Sequence, residues 1–520
     1  MKIVRVLVLI FISLLSLSML WMMNTPESGA AVYSEYQPAA LRVTQTLPPR
    51  CDFSPGPGDI AGLINAIYQA NLDPALTIIC LGSGYYEPVG TPFEIDGSNM
   101  LPDITSQVWI HGGGARIQRP QGTPRLERFF HVAASGTLRL DMMSIVNGSE
   151  AKGGAIYNEG NLTLYDVYLG ANNAFESGGA IYNEGSSVYI DTCDFEGNWT
   201  QGVPGTYGGA IYSTAGALTI SYSGISGGIG NAAYYGGGIA VVGQNGPATL
   251  RLQNYSVIAS NAAEFGGGIY LGPNTTTLIT GQSKIEVNSA QGGGGGIAVV
   301  GDSGTSGSAQ VTIQNGVVIG SNTSTQGGGM QISGSGAVVT VRDSQIIHNR
   351  ASMGEGGGFW LRDGAAVNVT NSVISRNQGG VTGGLYAQHD SSVTVHESCI
   401  VGNIDYGIYV DSPGTPGNAT NNWWGAADGP GGMGTGAGDK VAFAYYDPYL
   451  TVAPSICADG IPPTLTATAE LPPTLVLITF TPSITVTMTP WKTATPTPII
   501  PPAGCRASEI NPGEIICTSD

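Results

Sequence analysis

The chain has 520 residues, of which 42% are apolar and 11% charged, and its net charge is −18. The apolar share excludes wholesale disorder, which requires low hydrophobicity together with high charge. The negative charge makes nucleic-acid backbones and anionic membranes poor partners, so no nucleic-acid binding is expected. Glycine supplies 79 residues, about twice its usual share, which is typical of many tight turns.

The N-terminus has the pattern of a secretory signal peptide over residues 1–31. Lys2 and Arg5 precede an apolar run over residues 6–23, and small residues at 28–31 offer a cleavage site. The apolar run is longer than usual, so an uncleaved anchor stays open as an alternative. In both cases we expect export, to the medium or the cell surface, with outer-membrane association left open. No membrane span is expected after signal removal.

Residues 32–50 are predicted to be a linker, and residues 51–141 the N-terminal cap and first coils. Apolar residues at helical spacing over 60–71, after Asp59 as candidate N-cap, predict a helix. A helix suits this place because it covers the core and strand edge at the end of a repeat array. Strand patterns follow at residues 76–81, 108–111, 129–132 and 137–140.

Residues 142–410 contain ten copies of a Gly-Gly-apolar motif. In chain order the apolar residue is Ile156, Ile181, Ile211, Ile239, Ile269, Ile297, Met330, Phe359, Leu385 and, in a worn copy, Ile408. The nine steps cover 252 residues, a mean of 28, and a fixed period of this size indicates a repeat array. Glycines exclude helical repeats, and a propeller blade needs about 40 residues. Each unit is therefore predicted to be one coil of an all-β, single-stranded parallel β-helix with these apolar residues inside.

A second column of the repeat consists of asparagines, each three residues after an apolar residue. It contains Asn172, Asn198, Asn261, Asn288, Asn322, Asn349, Asn377 and Asn403. We expect these amides to stack and hydrogen-bond from coil to coil. The unit with Ile225 interrupts the column, because Gly228 takes the asparagine position. The Gly-Gly pairs are expected at another corner, where positive φ and close backbone approach exclude a Cβ.

The residue after each inward apolar residue points to the opposite face by strand alternation. Seven of these ten positions are aromatic, namely Tyr157, Tyr182, Tyr212, Tyr270, Trp360, Tyr386 and Tyr409. They are expected along one exposed face, as candidate surface-binding aromatics for sugar rings. The alternative interpretation is that the rings only stabilise the sheet as cross-strand pairs.

The repeats are followed by a predicted last coil and C-terminal cap over residues 411–455. Residues 456–504 are rich in Thr and Pro and predict a disordered, extended stalk. Residues 505–520 form a short tail flanked by cysteines.

Seven cysteines are present, and none forms a Cys-x-x-Cys zinc pair. Candidate disulfides join Cys51 with Cys80 and Cys505 with Cys517, at the two ends of the chain. The odd count leaves at least one thiol unpaired or intermolecular, and the connectivity stays open.

The Gly-Gly-Ala-Ile-Tyr units, with the downstream run from Phe195 to Asn198, resemble the repeats of polymorphic outer-membrane proteins. The resemblance covers about residues 142–409 and implies a right-handed, pectin-lyase-like β-helix. The opening section, including Leu63 and Ile67, is similar to CSLREA-type secreted β-helix proteins, although the Cys and Arg-Glu of that motif are missing. These motifs are specific for the fold and weak for function, since one fold carries many activities.

Two functions follow as alternatives. The first is an exported, non-catalytic β-helix surface protein that is adhesin-like, structural in the cell envelope or glycan-binding, with a cell-wall glycan or a host or neighbour surface protein as partner. The alternative is a secreted pectin-lyase-like polysaccharide lyase or glycosidase, which needs clustered carboxylates.

The acidic residues are scattered along the sequence. Glu159 and Glu184 occupy equivalent positions of adjacent units, and Asp191, Asp194 and Glu196 crowd one rung. For Glu159 and Glu184 the simpler interpretation is two solvated acids on a loop. No catalytic residue, metal ligand or cofactor is predicted, and calcium at loop carboxylates stays open without a ligand set.

Overall fold

The computed structural model describes residues 50–88, 98–120, 127–226, 230–302, 307–388, 390–411 and 416–457, and the backbone of Phe93–Glu94, Cys505–Ala507 and Ile515–Cys517. The predicted signal peptide lies outside the described residues, as do all but the edges of the linker and the stalk. The chain divides into two units, Met1–Pro462 and Pro463–Asp520. In the second unit, Cys505–Ala507 pairs antiparallel with Ile515–Cys517, which places Cys505 opposite Cys517. Their disulfide stays a prediction.

One α-helix, α1 (Ile60–Asn71), covers the first coil of the larger unit. The side chain of Asp59 accepts a hydrogen bond from the backbone N–H of Gly62, so the predicted helix and N-cap are confirmed. The buried face of the helix consists of Leu63, Ala66, Ile67 and Ala70.

Three parallel faces form a right-handed β-solenoid of about 12 turns. The largest face is a 23-stranded sheet, here called the long sheet, in which most coils contribute two short strands. The two strands of a coil meet at a bend with positive φ, as at Thr192 (φ 54°). The strands are Thr77–Cys80, Tyr85–Tyr86, Gln107–Gln118, Thr137–Val146, Asn161–Gly170, Ser187–Asp191, Asp194–Glu196, Gly216–Ser221, Gly224–Ile225, Ala248–Gln253, Val257–Ala259, Thr275–Ile279, Lys284–Glu286, Ala309–Ile313, Val318–Gly320, Ala337–Arg342, Gln345–Ile347, Ala366–Thr370, Val373–Ser375, Ser392–His396, Cys399–Val401, Gly417–Asn418 and Ala444–Tyr445.

The second face, here called the glycine sheet, contains the strands that follow the Gly-Gly motifs. It is formed by Phe130–Val132, Ile156–Asn158, Ile181–Asn183, Ile211–Ser213, Ile239–Val241, Ile269–Leu271, Ile297–Val300, Met330–Ser333, Phe359–Arg362, Leu385–Ala387, Tyr406–Val410, Pro430–Gly432 and Gly438–Ala442. The third face consists of two shorter sheets, formed by Ser149–Lys152, Asn173–Ser177 and Trp199–Thr200 and by Ala262–Phe265, Ser289–Gly293, Thr323–Ser324 and Arg350–Ala351. An antiparallel pair, Phe93–Glu94 with Ser98–Asn99, lies in the N-terminal section.

The hydrophobic core runs along the inside of the coils as one continuous cluster. All ten apolar residues of the Gly-Gly motif are completely buried in it, from Ile156 to Ile408. The predicted inward column is therefore confirmed. Each side chain of the column lies beside its equivalents in the neighbouring coils, because the strands of the glycine sheet pair in register.

The asparagine column is a continuous ladder of side-chain hydrogen bonds at the corner between the long sheet and the third face. Each amide donates to the Oδ1 atom of the asparagine in the next coil at 2.9–3.0 Å. It also donates to a backbone carbonyl of the preceding coil, as Asn288 does to Ile258 at 2.9 Å. The predicted interruption at Gly228 was wrong, because Asn231 occupies the ladder between Asn198 and Asn261.

The Gly-Gly corner is restricted in the two predicted ways. Gly178 has a φ of 66°, which side chains rarely adopt. A Cβ on the next residue, Gly179, would collide with the carbonyl oxygen of Gly209 in the following coil. The glycines therefore allow consecutive coils to stack at hydrogen-bonding distance.

Two disulfides fasten the ends of the larger unit. Cys51 bonds to Cys80 beside the cap, and Cys399 bonds to Cys457, a pairing that the sequence analysis did not propose. Among the described residues Cys193 is a free, buried thiol. Within the described part of the chain, no helix has the length and apolar character needed to cross a membrane.

Candidate functional site

The aromatic residues predicted as a surface column are covered rather than exposed. Tyr157, Tyr182, Tyr212, Tyr270, Trp360 and Tyr386 are only 2–9% exposed, and Tyr409 is half-buried. The expectation of an exposed face was therefore wrong for six of the seven residues. Alternation put the rings outside the coil, as predicted, but it does not show what lies over them.

Over the part of the column that contains Tyr212 and Tyr270, the cover is a second aromatic row, formed by Tyr207, Tyr235 and Phe265. Each of these residues directly precedes a Gly-Gly pair, and bridges place them in register in three consecutive coils. Tyr207 stacks on Tyr235 at 4.8 Å and Tyr235 on Phe265 at 5.8 Å, measured between ring centroids. The row packs over the buried column that contains Tyr212 and Tyr270.

The rings of this second row are half-buried, and they stack face to face on each other. Such stacking stabilises the corner by about 0.5–1.5 kcal/mol per pair and leaves little flat surface for a ligand. The sequence analysis missed the row. An aromatic residue before Gly-Gly in three consecutive units was the available signal.

The first coils also bring two carboxylates together around Tyr157. The Tyr157 hydroxyl lies 3.1 Å from Glu184 Oε2 and 3.4 Å from Glu159 Oε1. His131 Nε2 lies 2.9 Å from Glu159 Oε2, and Lys152 Nζ lies 3.6 Å from Glu184 Oε1. Both acids of this cluster therefore have basic partners.

The outer side of the long sheet carries a different group of polar and aromatic residues. Two neighbouring outward columns, here called the outer track, cross six coils in register. The first column is Trp109, Arg139, Thr163, Tyr189, Thr219 and Arg251, and the second is His111, Asp141, Tyr165, Asp191, Ser221 and Gln253.

The centre of the outer track is Tyr189, which is 40% exposed. Thr163 and Thr219 occupy its position in the coils on either side, and no other aromatic ring of the described residues stacks on it. Both neighbours are small, so neither places an aromatic ring against Tyr189, although Tyr165 and Tyr222 lie near enough to contribute to the raised pKa of Tyr189. Tyr255 is equally exposed, but its ring stacks on Tyr222 at 6.3 Å.

The hydroxyl of Tyr189 donates to Asp191 Oδ2 at 2.8 Å. Partial burial, together with the hydrogen bond to Asp191 and its negative charge, raises the pKa of Tyr189 to about 12. The ring therefore stays neutral, and its orientation is fixed by a carboxylate that the Thr192 hydroxyl also contacts, at 2.7 Å.

One end of the outer track is closed by a network around Asp141, which is 1% exposed. Asp141 accepts a hydrogen bond from Trp109 Nε1 at 2.8 Å and lies 2.7 Å from His111 Nδ1. Arg139 donates to the same carboxylate at 3.2 Å, and its guanidinium lies 4.1 Å from the centre of the Trp109 ring. The charges at this end are therefore paired.

The first column of the outer track continues into later coils, where its residues are less often aromatic or charged. The same column continues as Leu278, Thr312, Thr340, Asn368 and Thr394. These residue types suit an ordinary solvent-facing strand. The fold therefore does not require Trp109, Arg139 or Tyr189 at these positions.

No group of three or more His, Cys, Asp or Glu side chains in the described ranges is arranged to hold a metal ion. This includes the rung with Asp191, Asp194 and Glu196. Calcium binding at loop carboxylates stays a prediction.

Comparison with known proteins relates the chain to β-helices. A family model described as a right handed beta helix region matches residues 238–431. The chain is also similar to the crystal structure of PfbA, a surface adhesin of Streptococcus pneumoniae, with 13% identity, a TM-score of 0.35 and coverage of 68% of this chain and 91% of that chain. A comparison with curated proteins found no match.

Proposed function

We propose that the protein is an exported, non-catalytic β-helix rod that binds a glycan chain along the outer track. The observation that carries the proposal is Tyr189, an exposed ring that lies between two threonines and on which no other aromatic ring of the described residues stacks. An aromatic face of this kind suits the apolar face of a sugar ring. Asp191 and the neighbouring threonine hydroxyls supply hydrogen-bonding groups for sugar hydroxyls.

A comparison of the early and the later coils of the same solenoid supports a binding role. Aromatic and charged residues are concentrated in the first coils of the outer track, whereas the same column carries mainly threonine in later coils. A solenoid also offers a long, continuous surface on which an extended polymer contacts several coils at once.

Export and a surface location are supported by two features. Two disulfides in the larger unit fit an oxidising compartment outside the cytoplasm. The signal-peptide pattern over residues 1–31 and the resemblance to polymorphic outer-membrane and CSLREA-type repeats point the same way. An adhesin-like or envelope protein with a Thr/Pro-rich stalk fits both features.

The test compares Tyr189→Ala with Tyr255→Ala, a matched control that removes a tyrosine of equal exposure. Retention of the full chain is measured on insoluble cellulose, chitin and bacterial cell walls. Loss of one aromatic contact is expected to weaken binding about two- to tenfold for Tyr189→Ala only. Equal retention of both variants and the parent on every glycan, or no retention at all, would contradict the proposal.

A second candidate function, a polysaccharide lyase or glycosidase, is favoured by one observation. Glu159 and Glu184 converge on the Tyr157 hydroxyl with Lys152 and His131 beside them, and paired carboxylates are the usual groups of glycoside hydrolysis. A cleavage screen on pectin, alginate and glycosaminoglycans, with Glu184→Gln as control, tests this function. Product formation that the substitution abolishes would favour the enzyme over the binding rod.

A further inference from the structure

We propose that the outer track selects a glycan without acidic groups, so that polyuronates and sulfated polysaccharides are poor ligands. The inference rests on the proposed glycan-binding function and narrows its ligand class. It rests on a comparison of the negative and positive charges around Tyr189. The negative charges are more numerous, whereas the positive charges of the outer track are either paired with a carboxylate or distant from the ring.

One negative charge lies against the Tyr189 ring, and three more follow along the same and the preceding rung. Asp191 is bonded to the Tyr189 hydroxyl itself. Asp166 is exposed on the bend of the preceding coil, and Asp194 and Glu196 lie on the strand that follows the Thr192 bend in the coil of Tyr189. Although part of Asp194 is exposed, loss of hydration at its carboxyl group and, to a smaller extent, the charges of Asp166 and Glu196 raise its pKa, as expected where carboxylates lie near each other.

The two arginines of the outer track are either paired or distant from Tyr189. Arg139 is bonded to buried Asp141 and lies over the Trp109 ring, so its charge is already compensated. Arg251 is two coils from Tyr189 and donates its Nε to Gln253. Two coil steps are about 10 Å, so Arg251 does not contact a sugar that stacks on Tyr189.

A sugar ring stacked on Tyr189 would therefore meet the Asp191 carboxylate directly, with Asp166, Asp194 and Glu196 further along the same and the preceding rung. Within the outer track, an arginine that no carboxylate pairs lies only at the far end, at Arg251. A carboxylate or sulfate on that sugar would be repelled, whereas hydroxyl groups can donate to Asp191. The net charge of −18 adds long-range repulsion of the same sign.

The experiment measures equilibrium binding of the full chain to pairs of soluble polymers that share a backbone. One pair is hydroxyethylcellulose and carboxymethylcellulose, and the other is methyl-esterified polygalacturonate and polygalacturonate. At about 20 mM salt, in each pair for which binding is detected, the uncharged polymer is expected to bind at least about fivefold more tightly than its acidic counterpart. The preference is expected to shrink at about 0.5 M salt, because exposed charges are then screened.

A charge-removing variant assigns the effect to the outer track. Asp166→Asn with Asp194→Asn is expected to reduce the preference for the uncharged polymer by at least half. Asp363→Asn, which removes an exposed acid outside the track, is expected to leave the preference unchanged.

Equal or tighter binding of the acidic polymers would overturn this inference while leaving glycan binding intact. A preference that survives the double substitution would also overturn it. If no uncharged or acidic polymer binds, and cellulose, chitin and cell walls also fail to retain the chain, the proposed function falls and this inference falls with it.

Discussion

Asn403 donates its side-chain amide to Oδ2 of Asp439 at 2.9 Å, and this bond ends the asparagine ladder on a carboxylate. The same carboxylate accepts the backbone N–H groups of Gly402 at 2.8 Å and Asn403 at 2.9 Å. A carboxylate is an acceptor-only group, so it can satisfy all three donors that the last full coil leaves unpaired. Asp439 is therefore the residue that closes the ladder at its C-terminal end.

The first prediction concerns this closure. Asp439→Ala leaves three donors with water as their only partner, and the free energy of unfolding of the last coils is expected to fall by about 2–4 kcal/mol. Asp439→Asn keeps one acceptor oxygen and should cost less. Amide hydrogen exchange at Gly402 and Asn403 measures the local effect. Exchange at the parent rate in Asp439→Ala would refute the closing role.

The second prediction concerns the middle of the ladder. Asn288 donates to Ile258 and Asn322, and its Oδ1 accepts the backbone and side-chain N–H groups of Asn261. Asn288→Ala removes these four bonds from a buried site, and a loss of about 3 kcal/mol is expected. Hydrogen exchange should rise in the coils on both sides.

Asn368→Ala is the matched control for the ladder, since Asn368 lies on the exposed side of the long sheet. Its effect is expected to stay within about 0.5 kcal/mol. If the two alanine variants unfold at the same urea concentration, the ladder contributes no more than an ordinary surface residue.

The third prediction concerns Ala240, which lies between Tyr212 and Tyr270 in the buried aromatic column. Its small side chain leaves space in which Tyr235 approaches Tyr270 to 4.9 Å between ring centroids. Ala240→Tyr inserts the residue that neighbouring repeats have, and overpacking is expected to cost about 1–3 kcal/mol. The midpoint of urea unfolding measures the cost.

A double substitution separates overpacking from other causes. Tyr235→Ala removes the ring that fills the space, so Ala240→Tyr should cost less in that background than in the parent. Additive losses would show that the two side chains do not compete for the same volume.

The parts of the fold that repeat were predictable from the sequence. The inward column and the asparagine ladder each place one residue of the same type in every coil. Both could therefore be predicted from residues that recur at the period of the repeat. The sequence analysis did not assign Asn231 to the ladder, because Asn231 lies six rather than three residues after Ile225. A search for a fixed spacing misses an asparagine in a unit that has extra residues. The ladder shows that the structure keeps the hydrogen-bond position rather than the sequence interval.

The candidate site was harder to predict, for a physical reason. Alternation assigns Tyr182 to the outer face, but whether it is exposed depends on Tyr207 and its neighbours one corner away. The outer track was missed because Trp109, Arg139 and Tyr189 are different residue types in successive coils. Only the register of the long sheet places them in one column.

The last prediction concerns pH and His131, whose side chain is 2% exposed. Its Nδ1 lies 3.2 Å from Asp103 Oδ1, its Nε2 lies 2.9 Å from Glu159 Oε2, and its ring stacks on Tyr157 at 5.2 Å. Burial by itself lowers the pKa of His131, but the two carboxylates outweigh it, so the pKa lies above the ordinary value of 6.5. The charged imidazole therefore links three successive coils.

The sign of the pH dependence follows from this raised pKa. The stabilisation is complete below about pH 6.5, where the unfolded chain also carries the proton, and is lost as pH rises through the folded-state pKa. Urea unfolding between about pH 5.5 and 8.5 should show the N-terminal coils losing stability toward alkaline pH, and His131→Gln should flatten that slope. His348→Gln is the control, because burial and the charge of Arg376 lower the pKa of His348. The slope should persist in that variant, since a lowered pKa destabilises the fold toward acid rather than alkaline pH.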